Sequence, residues 1–369
     1  MVEIKPSHKA FWGLAKALKT EKLSLLPLLR KFDNSLVFDD WEKAECLADS
    51  IEQQCSENPA FDVEHVRRVE EEVRRRVSLP PKDDLDPITQ DEVSKHIKGL
   101  KIRKAPGVDS ISSKALKCFS TLLVTLLVSI FNACIKNCYF PAAWKEVVAI
   151  GIPKPGKPRD LHASYRSISI LSILGKQFGF RPNHYCPQQA LRLVKYISEG
   201  FKVKRKTVAI FFDIAKAFDK VWHAGLIHKL DQLELPDRLV IIIQYISNRH
   251  FTFRLDSTYS SISSIRAGVP QGSTFSLLLY SAYVNDIPRP NTNVQLALFA
   301  DDTALFLKSN CLRNILPLLQ RTIDELTQWL RFWRKEVNPE KTASIYFDYS
   351  SRESTITVTL DTQHLRILN

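Results

Sequence analysis

TVAIFFDIAKAFDKVWH (Thr207–His223) and VQLALFADDTALFL (Val294–Leu307) are the two stretches on which the fold turns. Val208 to Phe212 is an apolar run of strand length, rich in β-branched and aromatic residues, and it ends on Asp213. Val294–Phe299 and Ala304–Leu307 are two further apolar strands, and Ala300-Asp301-Asp302-Thr303 between them reads as a hairpin tip. A helix is expected from Val221 to Leu233 and a second buried one from Ser276 to Asn285. Ile315, Leu319, Ile323, Leu326, Leu330 and Trp333 recur at helical spacing, and Ala343–Phe347 supplies a last strand. Strand, helices, hairpin, helix and strand make an α+β layout, with helices backing one face of an antiparallel sheet.

Upstream of this unit the pattern is helical. Ala44–Cys55 and Val63–Val77 read as helices, the second with Val63, Val66, Val69, Val73 and Val77 on one face. Its arginines are interrupted by Glu70, Glu71 and Glu72, which favours a solvated face stitched by ion pairs over a nucleic-acid patch. Leu79-Pro80-Pro81 and the acids after it mark a boundary. Thr89 with Glu92 forms a capping box, Ile111–Asn137 is expected to be helical with a buried stretch from Leu122 to Ile135, and Val147–Pro153 is a strand. Leu239–Ser247 reads as a helix and Phe251–Leu255 as an alternating strand. The expected division is a helical region 1–80, a connecting region 81–206, the sheet-forming unit 207–347 and a tail 348–369.

Composition narrows the class. Hydrophobic residues are 44% and charged residues 25% of the 369, which is globular and not disordered. A net charge of +12 favours a polyanionic partner. The 7 cysteines form no pair with zinc spacing. Without a signal peptide or a membrane span, an intracellular protein of the cytoplasm or nucleus is expected, not a secreted one.

The chemistry lies in the acids. Asp213, Asp301 and Asp302 sit at the ends of apolar strands, where carboxylates repel one another unless a cation neutralises them. Hard divalent ions suit such oxygens, and two of them can activate a hydroxyl and stabilise a leaving pyrophosphate. Taken alone, Asp301 and Asp302 are also compatible with an ordinary polar hairpin tip. Lys154 in IPKPGKP and Arg166 in SYRSISIL are candidate triphosphate contacts, and on spacing alone they are as readily surface cations. Gly268-Val269-Pro270-Gln271-Gly272-Ser273 precedes a helix and could admit a nucleotide backbone or simply cap that helix.

FFDIAKAFDKVWH (Phe211–His223), AGVPQGSTFSLLL (Ala267–Leu279) and LFADDTALF (Leu298–Phe306) resemble, in this order, motifs A, B and C of reverse transcriptases. The resemblance is closest to non-LTR (LINE-type) retrotransposons of the jockey-like clade. KAPGVDSI, IPKPGKP, SYRSISIL, QFGFRPNH and NPEKT (Asn338–Thr342) resemble further signatures of that family. The resemblance implies a fingers–palm polymerase fold, with 81–206 as fingers and 207–347 as palm. It implies an RNA-directed DNA polymerase that joins dNTPs to the 3′-hydroxyl of a DNA primer on an RNA template. Asp213, Asp301 and Asp302 match its metal-binding triad for two Mg²⁺, or Mn²⁺ in their place, with the first acid of the hairpin carrying the larger burden. Phe218 matches the aromatic gate beside the sugar 2′ position, and Lys154 and Arg166 the triphosphate contacts. Gln271 and Gly272 match the nucleotide- and template-positioning loop, and Lys341 a general acid for pyrophosphate, although an exposed lysine after a helix is an equal alternative. Asp219 is read as structural.

The chain also departs from the family. Leu174-Gly175-Lys176 runs directly into Gln177-Phe178-Gly179 where the family has room for a helix and a loop. Ser167 and Leu277 stand where prolines are usual. No endonuclease is expected before Met1, and no primer grip or thumb within 348–369. These departures suggest a truncated or degenerate copy. The alternatives are a catalytically inactive relic that binds RNA non-specifically and, more weakly, a two-metal nuclease.

Overall fold

The structure is a computed structural model that describes residues 28–31, 33–79, 86–102, 106–171, 186–233, 240–270, 274–290, 292–299, 301–348, 356–360 and 363–368. The chain divides into two compact units. Residues up to 51, with 149–168 and 252–261, make the first; 52–148, 169–251 and 262–369 make the second.

Leu29–Arg30 (β1) and Leu36–Val37 (β2) pair antiparallel ahead of the helix Asp40–Gln54 (α1), so the region expected to be helical also contains a short hairpin. Val63–Val77 (α2) has the expected bounds, and Asp62 caps it by accepting from the His65 N–H. Only Val66 and Val69 of its valine stripe are buried; Val63 and Val77, at its ends, are exposed. Gln90–Gly99 (α3) begins with the capping box of Thr89 and Glu92. The single helix expected over 111–137 is two, Ser113–Lys117 (α4) and Thr121–Lys136 (α5), because Ser112 and Ser120 each cap a new start. Nor is α5 a buried helix. Val124, Leu127 and Cys134 are covered, but Leu122 is 82% and Leu126 55% exposed, since its apolar residues run round the helix and only one side is packed among the described residues.

Glu146–Pro153 (β3), Tyr165–Ile170 (β4), Arg249–Leu255 (β6) and Thr258–Tyr259 (β7) form a sheet in the order β4-β3-β6-β7, with Ser263–Ile265 (β8) pairing to β6. Within the first unit Gly151 lies against Phe253 and Tyr165.

The second unit is built on Lys206–Asp213 (β5). Cys186–Lys202 (α6) precedes it, and His223–Gln232 (α7) and Val240–Ile246 (α8) follow. Then come Thr274–Tyr283 (α9), Gln295–Phe299 (β9), Asp302–Ser309 (β10), Leu312–Phe332 (α10), Ala343–Phe347 (β11), Ile356–Leu360 (β12) and Gln363–Leu368 (β13). Their sheet runs β12-β13-β11-β5-β10-β9. All neighbours are antiparallel except β11 and β13, which are parallel. The segment expected to be only a tail thus supplies two strands.

Alternation assigns the faces. Val208, Ile210, Leu305 and Leu307 join the main core with Ile315, Leu319, Ile323, Leu326 and Leu330 of α10. Ala209, Ala297 and Phe306 point the other way, where Leu193 and Tyr196 of α6 cover them. Tyr196 meets Phe306 edge-on at 5.0 Å. Helices therefore pack on both faces, not on one as the sequence suggested, because β5 is apolar at consecutive positions and has no face to give to water. Each such side chain contributes about 1.5–3 kcal/mol on burial.

After β5 the chain turns through Ala215–Lys220, and this turn is zipped to the segment at 267–269. Gly268 N–H donates to Val221 O at 2.8 Å and Val269 N–H to Phe218 O at 2.9 Å. Gly268 has φ +94°, and a Cβ on it would lie 2.6 Å from the Asp219 carbonyl oxygen. Gly268→Ala meets both a left-handed backbone and an immovable backbone neighbour. It should lower unfolding free energy by about 2–4 kcal/mol in urea titrations; a loss below about 0.5 kcal/mol, the level of a neutral surface change, would show the zip to be loose.

Candidate active site

The register between β5 and β10 places Asp302 directly opposite Asp213. Residues 209, 211 and 213 share a face with 306, 304 and 302, so the two acids stand on one side of the sheet at the end of its central pair. Asp301 lies in the turn between β9 and β10, immediately before Asp302, which the sequence had assigned to the tip but which begins the strand. Asp301 and Asp302 are exposed and Asp213 is half-buried. Partial burial, and then the charges of Asp301 and Asp213, raise the Asp302 carboxyl above its ordinary value. Like charges are thus held together by the strands rather than by mutual attraction.

The segment Asn338–Thr342 wraps Asp213. The Asn338 N–H donates to Asp213 O at 2.8 Å, and the Asp213 N–H donates to Thr342 Oγ1 at 3.4 Å. Thr342 Oγ1 in turn donates to Asn338 O at 2.8 Å. Lys341, on this loop, brings its Nζ to 3.6 Å from Asp213 Oδ2. The sequence marked Asn338–Thr342 as a family signature but gave a role only to Lys341; the hold of Asn338 and Thr342 on the Asp213 backbone was not foreseen.

Phe218 is partly buried, and its ring lies 4.6 Å from that of Tyr280 at 33°. Tyr280 is 1% exposed, and burial followed by the charge of Asp301 pushes its phenol well above the usual range. Tyr280 therefore backs the ring of Phe218, a role that no spacing in the sequence disclosed. Behind the 267–269 segment, His223 is pushed down by burial, and its Nε2 donates to Gly268 O at 2.8 Å. The charge of Asp219 acts on Lys335, Lys220 and Cys55.

Lys154 and Arg166 belong to the first unit and the three acids to the second. Lys154 follows β3; its N–H donates to Ser164 O and its ammonium to Ala163 O, both at 2.8 Å. Arg166 is exposed on β4, two residues past Ser164, so one backbone contact brings the two cationic segments together. Gln271, Gly272 and the junction after Lys176 lie outside the described residues. Near Gln271, Ser276 Oγ donates to the Pro270 carbonyl.

Among the described residues no three His, Cys, Asp or Glu side chains are gathered into a ready-made cation cage. The donor chemistry nevertheless fits a hard divalent ion: carboxylate oxygens only, two of them in register, and one carboxyl raised by its neighbours. No helix among the described residues is long and apolar enough to cross a membrane.

Because the Asp302 carboxyl is raised in the folded chain, that chain holds the proton more tightly than the unfolded one. The group's contribution is therefore full at low pH and declines as pH rises from the ordinary aspartate range through the raised value. Asp302→Asn removes the decline. In urea unfolding followed against pH the variant should gain on the wild type across that window, and a variant that lost ground there would contradict the like-charge assignment.

A family model described as Reverse transcriptase (RNA-dependent DNA polymerase) matches residues 152–360. The chain is 33% identical, over 92% of its length, to a Drosophila melanogaster protein named "Probable RNA-directed DNA polymerase from transposon BS", of which it covers 40%. It is 34% identical, over 83% of its length, to the "RNA-directed DNA polymerase from mobile element jockey" of the same species, covering 36% of it. To the "Probable RNA-directed DNA polymerase from transposon X-element" it is 28% identical over 95% of its length, covering 41%. The chain thus spans about two fifths of the length of these curated relatives. With strands β5, β9, β10 and β11 inside the matched span, the chain belongs to the reverse transcriptase family of non-LTR retrotransposons.

Proposed function

We propose that this chain carries the nucleotide-adding centre of an RNA-directed DNA polymerase, with 207–347 as palm and 81–206 as fingers and connecting region. The observation that carries the reading is the register of Asp302 against Asp213 at the end of the central strand pair, within the span matched by the family model. Its substrates are an RNA template, a DNA primer and deoxynucleoside triphosphates.

Asp213, Asp301 and Asp302 would hold two Mg²⁺, or Mn²⁺, which when bound supply charge stabilisation to the attacking 3′-oxygen and the departing pyrophosphate. The chain's own groups do the rest. The 3′-oxygen attacks the α-phosphorus and the bond to pyrophosphate breaks in line. Lys341 is poised to give a proton to that leaving group, its ammonium already held beside Asp213 at 3.6 Å. Lys154 and Arg166 grip the triphosphate, the planar guanidinium by paired bonds. Gln271 and Gly272 position nucleotide and template. Phe218, backed by Tyr280, occupies the space a 2′-hydroxyl needs.

The second reading is a relic that binds RNA through its positive surplus of +12 without extending a primer. Primer extension by the 369-residue chain on an RNA template at low salt separates the two. Asp213→Asn and Asp301→Asn should abolish extension with the fold retained, and Lys341→Ala should slow the single-turnover step by about 100-fold. Phe218→Val should raise ribonucleotide use relative to deoxynucleotide. Salt-sensitive RNA binding with no extension by the wild type would favour the relic, and equal use of both sugars before and after the Phe218 change would remove the gate assignment.

A further inference from the structure

Lys335 is the most deeply buried cation near the site and takes no part in the chemistry above. It is 1% exposed, and burial pushes its amine down to about 7, against the opposing pull of Asp219. A buried amine is costly unless something in the fold needs its donor. Its place is fixed by the end of α10. Trp333 closes the helix, Arg334 takes a left-handed φ of 52°, and the Lys335 N–H returns to Leu330 O at 2.8 Å, a Schellman ending that sends the chain inward.

From there the backbone runs alongside the segment that begins at Asp213. Ala215 N–H donates to Glu336 O at 2.9 Å, Ile214 bridges Val337, and Asn338 N–H reaches Asp213 O. At the near end of this run Lys335 Nζ donates to the Ala217 carbonyl, one residue before Phe218. The same ammonium lies 5.4 Å from the centroid of the Tyr280 ring and 5.1 Å from that of Tyr283. Tyr280 is also the ring against which Phe218 packs. One side chain thus touches both the backbone that carries Phe218 and the aromatic surface that supports it.

We propose that Lys335 is a positioning residue that fixes the Ala215–Lys220 turn and so aims Phe218. The proposal rests on the reading of Phe218 as the residue beside the sugar. Lys341 and Lys335 then act at opposite ends of one segment: the first faces the Asp213 carboxylate, the second sets the aromatic that judges the nucleotide. Lys229, the other deeply buried lysine of this core, provides the comparison. Its amine is also pushed down to about 7 by burial, but it bonds Tyr283 O at 2.7 Å and Asp286 Oδ1 at 2.5 Å, and not the turn.

Lys335→Met keeps the length and apolar stem and removes the donor. Amide exchange by mass spectrometry should quicken about tenfold in peptides covering 215–220, the loss of one buried hydrogen bond, with the melting temperature unchanged or higher. Lys229→Met should leave exchange in those peptides as in the wild type. Should Lys335→Met not fold, Lys335→Leu takes its place in the same comparison. In primer extension the Lys335 variant should lose several-fold of the preference for deoxy- over ribonucleotide while keeping deoxynucleotide addition. Unchanged exchange in 215–220, or equal loosening by Lys229→Met, would overturn the proposal. A wild type that shows no sugar preference would overturn the reading of Phe218 instead, and the exchange comparison would still decide whether Lys335 holds the turn.

Discussion

The second unit depends on the pairing of β5 with β10. Eight residue pairs, from Lys206 opposite Ser309 to Asp213 opposite Asp302, form one uninterrupted antiparallel ladder. Its apolar side chains are covered on one face by α10 and on the other by α6. A slip of one residue would turn Val208 and Ile210 toward α6 and Ala209 toward the main core, emptying one side and overfilling the other. The register is therefore fixed by packing. Two carboxylates that repel one another are held face to face only because the residues behind them leave no alternative. Asp302 gains nothing from this arrangement, because burial and the neighbouring carboxylates raise its carboxyl.

A second constraint acts on the same strand from the opposite edge. The segment from Lys335 to Thr342 takes up the Asp213 backbone on both its N–H and its carbonyl, brings Lys341 to its carboxylate, and reaches Ala217 at its other end. The 267–269 segment closes the remaining side through Gly268 and Val269. Asp213 and the turn bearing Phe218 are thereby held from both sides, and the Phe218 ring is backed by Tyr280. This is how loops of irregular shape can hold reacting groups in place on a rigid sheet.

Much of this was legible in the sequence because the apolar runs are short and sharply ended. Val208–Phe212 stopping at Asp213, and the two arms around Asp301 and Asp302, announced the strands that set Asp213 opposite Asp302. The valine helix and the capping box at Thr89 were equally plain. What the sequence concealed depended on tertiary partners. The second helical cover over Ala209 and Phe306 needed α6, whose apolar spacing does not say which sheet face it will meet. The strands at 356–360 and 363–368 gain their place from the edge of β11. Leu122 and Leu126 looked like core because apolar residues surround α5, yet a helix can be apolar on a side that nothing in the described chain covers. Tyr280 and Lys335 went unnoticed because a buried polar group is recognised only by what it touches.

The central claim is that the end of the β5–β10 ladder is where divalent cations bind. Fe²⁺ substituted for Mg²⁺ generates hydroxyl radicals at the bound ion and cuts the nearest backbone. With ascorbate and peroxide, the 369-residue chain should yield fragments ending near residue 213 and near residues 301–302, and both cuts should vanish in Asp213→Asn and be competed by excess Mg²⁺. Cleavage confined to other parts of the chain, or cuts at these positions that persist in Asp213→Asn, would contradict the account.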